Sequence, residues 1–445
     1  MSSLSRRSFA KKAGRAALLA TGPFVMTGLA RQSPNDTMNV AVMGIRSRGR
    51  DHATTLAQLP NVNCATLCDI DERLFPKALA EVEELAAKRP KTETDIRRVL
   101  DDKDIDAISI ASPNHWHALA TIWACQAGKD VYVEKPVSHN ISESRKMVEA
   151  ARKYERIVQV GTQSRSEKVV QSAMEFLHAG KLGRLYMVKC VIFRPRESLG
   201  RKANSAVPPG VHYDLWLGPS PYRPFNENRF HYNWHWFWAT GNGETGNNGP
   251  HYTDMARWAL QKYDHPRRIQ SMGGYDVFDS DQETPNTQLS LLEWEDETRV
   301  QIEVRGLYTN AEDGTTMGLL FFGSEGWMNL SGNKWKTYFG RKNEPGESQT
   351  ATRPQGRPRN IMDTDDGVHF SNFIEAVRSR KRETLNAEIL EGHLSTAMCH
   401  LSNIAYRTRR QVIFDSANEI FPGDDEANSY LTREYRHPFV VPEKV

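Results

Sequence analysis

The strongest constraint on this chain is how its first apolar run ends. Residues 40–50 read VAVMGIRSRGR, a strand-like run that breaks into the turn Gly44-Ile45-Arg46-Ser47-Arg48-Gly49. Four more short runs follow, NVNCATLCDID, IDAISIASP, KDVYVEKP and RIVQVGTQ, and the stretches between them have helical spacing. Short buried strands joined by helices specify a parallel sheet. One helix start is visible, because Asn140 can cap and Glu143 can complete a capping box ahead of SRKMVEAARKY.

The turn has two of the three glycines of a dinucleotide-binding loop. Gly44 permits the tight bend and Gly49 lets the helix pack on the strand, while Arg46 stands where backbone would approach the pyrophosphate. An arginine there can meet phosphate oxygens through charge-assisted bonds, with Ser47 and Arg48 beside it. Alone, the turn fits an ordinary strand-to-helix connection equally well. The context favours nucleotide, since Asp69 ends the second run 20 residues after Gly49, where a carboxylate accepts hydrogen bonds from ribose hydroxyls. That carboxylate repels a 2′-phosphate, so NAD is expected; Arg46 and Arg48 leave an opening for NADP.

A chain of 445 residues with 39% hydrophobic and 25% charged residues has room for two or three globular domains. Residues 1–30 read as a twin-arginine export signal: Ser5-Arg6-Arg7 opens a mildly apolar stretch ending in small residues, and the alternative is a basic amphipathic helix at a membrane surface. Residues 31–37 are a linker. That signal holds five basic and no acidic residues; without it, 53 basic residues face 55 acidic ones, which leaves no electrostatic footprint for a nucleic acid. No integral membrane segment is expected in the mature protein. The five cysteines are scattered at no metal-type spacing and read as buried thiols.

The first domain is placed at 38–157 and a second, α+β domain at 158–445. In the latter, LYMVKCVIF, TQLSLLEW, TRVQIEVRGLY and GLLFFGSEGWMNL suggest a large, mostly antiparallel open sheet, through which a homodimer or tetramer could form. NEPGESQTATRPQGRPRN reads as an exposed loop, and HFSNFIEAVRSR and EILEGHLSTAMCHLSNIAYRTRR as helices. Between Pro208 and Gly249 lies a Trp- and His-rich stretch too irregular for a regular element, which reads as a binding region.

SPNHWH (Ser112 to His117) and EKP (Glu134 to Pro136) fall at strand carboxyl ends, where an open α/β sheet places its ligand. With the N-terminal turn, GPHYTDMARW (Gly249 to Trp258) and YDLWLGPSPYRPFNENRFHYNWHWFW, they closely resemble the Gfo/Idh/MocA oxidoreductases, and within them the exported bacterial branch. The resemblance implies a Rossmann domain followed by the α+β domain, with Ser112, Asn114, His117, Glu134 and Gln163 around the cofactor. It implies that Lys135 sits beside the nicotinamide, often with a cis bond into Pro136, that His251 is the catalytic histidine, and that Asp254 is the acid one helical turn further on. There is one departure: Asn247 stands where many relatives carry Asp.

Removing a hydride from a carbinol carbon requires a base for its hydroxyl proton. Lys135 meets this if burial lowers its pKa, and His251 with little adjustment; the bland readings are a surface lysine and a core histidine. Metal binding by His115 and His117 or by His231 and His235 is not expected, because no acidic or cysteine ligand accompanies either pair. The alternation of Trp234, Trp236 and Trp238 fits a buried strand or, with the interleaved histidines, a carbohydrate site shared with His115, Tyr213, Asn247 and Tyr252. The expected function is an NAD(P)-dependent oxidoreductase acting on a sugar or glycoside with tightly bound cofactor. The alternatives are a glycoside hydrolase that oxidises, eliminates, hydrates and re-reduces, with Tyr213 or Tyr252 as an extra base, and a non-catalytic sugar-binding protein.

Overall fold

The computed structural model describes residues 37–86, 88–351 and 360–445. The expected export signal and nearly all of the linker lie outside those residues. A six-stranded parallel sheet comes first, formed by β1 (Met38–Met43), β2 (Val62–Cys68), β3 (Lys91–Glu93), β4 (Ala107–Ile110), β5 (Asp130–Val133) and β6 (Val158–Val160). Its order is β3-β2-β1-β4-β5-β6. The order reverses between β1 and β4, which opens a crevice at the carboxyl ends of those strands. β4, β5 and β6 are buried along their whole length, the pattern of strands covered on both faces. β6 lies just past residue 157, so the parallel sheet runs beyond the domain boundary read from the sequence.

The second sheet has nine strands: β7 (Leu185–Phe193), β8 (Arg268–Gly274), β9 (Thr287–Glu293), β10 (Arg299–Arg305), β11 (Met317–Gly323), β12 (Gly326–Ser331), β13 (Lys334–Phe339), β14 (Glu344–Thr350) and β15 (Val412–Ile413). The order is β14-β13-β12-β11-β7-β10-β9-β8-β15. β7 and β10 run parallel and the other neighbours antiparallel, which makes the sheet mixed but mostly antiparallel, as expected. β14 corrects the expectation of an exposed loop over 343–360 for its first part only, 344–350; residues 352–359 lie outside the described residues. The residues of β14 are all exposed and polar or small, but their backbone pairs with β13, and hydrogen bonding rather than burial makes the strand.

The tail of the chain returns to the first domain. Helix Asp365–Ser379 lays Phe370, Phe373 and Ile374 against Val42, Leu56 and Tyr132 of the parallel sheet and its first helix. Phe370 stacks on Tyr132 with ring centroids 4.1 Å apart and meets the His52 ring edge-on at 5.0 Å. Helix Ile389–Thr408 is buried along most of its length and packs between the two sheets. Asn140 caps its helix as expected by accepting the Glu143 N–H at 2.9 Å. Glu143 closes the box one residue early, accepting the N–H of His139. All five cysteines are free and buried, and no helix among the described residues is long and apolar enough to cross a membrane.

Because Phe370 is fully buried at this seam, Phe370→Ala is expected to cost about 3–5 kcal/mol of stability, read as a lower denaturation midpoint. An unchanged midpoint would mean that the returning helix does not seal the first domain.

Candidate active site

A cleft of about 1160 Å³ runs from the turn after β1, over the carboxyl ends of β4 and β5, to the Trp-rich segment. At one end Gly44 has φ +84°, and a Cβ there would lie 2.8 Å from the carbonyl oxygen of Ala111. A Cβ on Gly49 would fall 1.5 Å from the Gly44 carbonyl oxygen, so Gly49 serves helix–strand contact and does not itself line the cleft. Arg46 and Ser47 are exposed on the rim. Arg48 differs from expectation. Its guanidinium donates to Glu134 Oε1 at 2.9 Å and as a fork to both oxygens of Asp366 at 2.7 and 2.6 Å, so it ties elements together and is not a free cation for phosphate.

Asp69 lines the same end. It accepts the Ile45 N–H at 2.7 Å on Oδ2 and the Asp71 N–H at 3.0 Å on Oδ1, while burial pushes its pKa up to about 6. The Ile70 N–H is a third backbone donor to this carboxylate, which leaves acceptor capacity for a hydroxyl donor. Ser112 Oγ and Asn114 Oδ1 are buried without a hydrogen-bond partner on residues that also line the cleft. A cradle that only glycine permits, a half-buried carboxylate and two orphaned polar oxygens fit a dinucleotide.

At the middle of the cleft the Lys135–Pro136 peptide is cis, as the resemblance implied. Lys135 Nζ donates to the Asn247 carbonyl oxygen at 2.9 Å. Burial lowers the Lys135 pKa below its ordinary 10.5, and the positive charge of Arg48 lowers it further. Glu134, expected around the cofactor, lines the cleft, but its carboxylate is committed to protein partners. Its carboxylate accepts from Arg48, His52 at 3.1 Å, Gln163 at 3.1 Å and the Lys135 N–H at 3.2 Å, an arrangement that keeps it ionised in spite of burial. His251 lies on helix Gly249–Ala259 and lines the cleft. Burial first, and then the Lys135 charge, lower its pKa to about 3, so the ring is a neutral imidazole. Asp254 stands behind it. Arg165 grips Asp254 at 2.7 and 2.9 Å and Ser395 donates at 2.7 Å, so it anchors the helix and does not face the cleft.

Of the expected carbohydrate contacts, His231, Trp234, His235, Asn247 and Tyr252 line the cleft, while His115, Tyr213, Trp236 and Trp238 do not. The alternating tryptophans form no strand, because residues His231–Trp236 are a 3-10 helix. His115 is buried against the Trp216 and Thr240 carbonyl oxygens, and Tyr213 donates its hydroxyl to the Arg223 carbonyl oxygen. Trp236 is covered by Arg196, and Trp238 by Arg407. His117 reaches the cleft edge, but its two ring nitrogens lie 2.7 Å from the carbonyl oxygens of Ser112 and Pro136. It holds the ends of β4 and β5 together. His235 is more available: Nδ1 donates to the Tyr232 carbonyl oxygen at 2.5 Å, and Trp234 stacks on the ring at 3.6 Å. Since a carbonyl can only accept, Nδ1 carries the proton and Nε2 presents a lone pair. Burial raises the Tyr252 pKa to about 12, which makes it a donor.

The sequence reading missed His52, Asp366 and Asn242. Asn242 accepts from Asn114 at 2.9 Å and donates to the His139 carbonyl oxygen at 3.0 Å, joining the two domains at the cleft floor. The only sequence signal for His52 and Asp366 was the need of a buried EKP glutamate for partners.

Against protein-family models, residues 38–162 match "Oxidoreductase family, NAD-binding Rossmann fold", and 197–284 with 354–441 match "Oxidoreductase family, C-terminal alpha/beta domain". Among curated relatives, inositol 2-dehydrogenase 4 of Saccharopolyspora erythraea is 27% identical over 198 residues, 44% of this chain and 54% of that protein. Levoglucosan dehydrogenase of Pseudarthrobacter phenanthrenivorans is 29% identical over 151 residues, 33% of this chain and 39% of the relative. A glycosyl hydrolase family 109 protein of Shewanella pealeana is 29% identical over 136 residues, 30% of this chain and 29% of the relative. The matched stretches thus span about half or less of each relative. Among solved structures, levoglucosan dehydrogenase in complex with NADH and levoglucosan superposes with a TM-score of 0.65 at 16% identity, over 85% of this chain and 99% of the other. The WlbA dehydrogenase of Bordetella pertussis, in complex with NADH and UDP-GlcNAcA, gives 0.60 at 20% identity, over 85% and 99%. At those identities the likeness is one of fold. Two family models in their expected order, over a sheet pair and cleft of this kind, establish that the chain belongs to the Gfo/Idh/MocA oxidoreductase family.

Proposed function

We propose that the protein is an NAD-dependent oxidoreductase acting on a ring hydroxyl of a sugar or glycoside. The carrying observation is the pairing of a half-buried Lys135, its pKa held below the ordinary value, with the neutral His251 in the cleft that also holds Gly44 and Asp69. When bound, NAD supplies the acceptor for the hydride leaving the carbinol carbon. The protein must take the hydroxyl proton, and the Lys135 amine, kept in place by the Asn247 carbonyl oxygen, is the base for it. His251 and His235 offer neutral rings to neighbouring hydroxyls, and Trp234 offers a face to the apolar side of a pyranose. Inositol and levoglucosan, named for two relatives, are polyhydroxylated rings of the same chemical kind.

A second reading is net glycoside hydrolysis through transient oxidation, and one observation favours it. Hydride transfer needs no acid, but Tyr252 lines the same cleft with a hydroxyl that burial keeps protonated, its pKa pushed up to about 12. Such a donor can give its proton to the departing aglycone oxygen in the elimination step. The glycosyl hydrolase name of one relative is consistent with this outcome.

Residues 1–30 are proposed to direct export by the twin-arginine route, on the strength of Arg6-Arg7 and the apolar stretch that follows. Recovery of the protein only from the cytoplasmic fraction of its host would reject this.

Lys135→Ala is expected to lower kcat by about 10²–10⁴-fold and to leave NAD binding in place; undiminished turnover would remove Lys135 from the mechanism. In the wild type, kcat/KM should rise with pH while Lys135 deprotonates and level off below 10.5. His251, already neutral above about 3, should add no inflection near the ordinary histidine value. Aryl glycosides incubated without added NAD separate the two readings: aglycone release without NADH accumulation supports hydrolysis, and sugar oxidation without aglycone release supports the dehydrogenase.

A further inference from the structure

The loop after β2 does more than present Asp69. Asp69 Oδ1 accepts the Asp71 N–H at 3.0 Å, and the carboxylate of Asp71, only 1% exposed, lies 2.8 Å from His231 Nε2. Arg73 fixes that carboxylate with two further bonds of 2.7 Å. The backbone is joined to the same region, because the Glu72 N–H donates to the Gly210 carbonyl oxygen at 2.9 Å and the His212 N–H to that of Ile70 at 2.8 Å. Ile70, Val211 and Trp234 pack on one aromatic cluster that contains Trp216 and Phe230. His231 itself has φ +52°, a left-handed backbone uncommon for a residue with a Cβ. Such a conformation persists where its surroundings over-determine it, and it clusters at clamps and switches. Here the bond that holds it comes from the loop that carries Asp69, and residues 231, 234 and 235 face the same cleft as Asp69.

We propose that His231 is a positioning residue coupling the two ends of the cleft: through Asp71 it transmits dinucleotide occupancy at Asp69 to the aromatic wall at 230–238, so that the dinucleotide orders the wall that receives the carbohydrate. The proposal rests on the dinucleotide reading above. Ribose hydroxyls donating to Asp69 fix the loop at 69–73, and a fixed Asp71 holds His231 in its left-handed backbone. The coupling is reciprocal, so an ordered wall also favours dinucleotide retention.

The test is hydrogen–deuterium exchange on the full-length protein, stripped of copurified NAD, with and without added NAD, alongside calorimetry of NAD binding to the same material. NAD should slow exchange across 230–238 by a factor of about 5–150, together with the turn at 44–50. In His231→Gly, which tolerates the backbone angle and removes the imidazole, NAD should still bind and protect 44–50, but the effect at 230–238 should vanish. His231→Gln, which keeps a donor of similar reach, should restore part of it. Protection confined to 44–50 in the wild type, or full protection of 230–238 in His231→Gly, would overturn the proposal. Absence of any NAD heat in the wild type would instead sink the dinucleotide reading, and this proposal with it.

Discussion

Everything in the cleft depends on one buried carboxylate at the end of β5. Glu134 collects Arg48 from the first helix, His52 one turn further along that helix, Gln163 from beyond β6 and the backbone N–H of its neighbour Lys135. An unpaired carboxylate at that depth would be costly, and removing one of its partners would leave a charge stranded. Arg48 extends the network to Asp366 on the returning helix, 318 residues away in sequence. The dinucleotide turn, the strand end that carries Lys135 and the C-terminal return are therefore held by one set of charges. The same negative charge, opposed by Arg48 and by burial, sets the environment in which the lysine titrates.

Much of the fold was legible because its cause is local. β4, β5 and β6 are buried along their whole length and so appear as apolar runs, whereas the edge strand β3, polar and largely exposed, gave no such signal; Gly44 and Gly49 stand where only a missing Cβ fits. Asn140 announces its helix by a bond to a residue three positions away. β14 was illegible for the opposite reason: it buries nothing and exists through backbone pairing with β13. The tryptophan alternation misled because a 3-10 helix entered through a left-handed residue gives no two-residue periodicity of burial.

The site was legible in its types and less so in its assignments. Lys135, His251 and Asp69 reach the cleft where strand ends and the resemblance put them. Arg48, Glu134 and Asp254 were read as groups facing a ligand, but each is spent on a partner that no motif reveals, since Arg165 lies 89 residues from Asp254 and Asp366 lies 318 from Arg48. Among the histidines the difference lies in the second ring nitrogen. His115 and His117 have both nitrogens on carbonyl oxygens, and His235 has one to spare.

The central claim is that this cleft holds NAD, with the Asp69 carboxylate choosing it over NADP and Arg48 unavailable to a 2′-phosphate. Calorimetric titration of the purified protein, first stripped of any copurified dinucleotide, with each dinucleotide tests it most directly. The account predicts one NAD site per chain and markedly weaker NADP binding; failure to bind either, or NADP binding as tight as NAD, would contradict it.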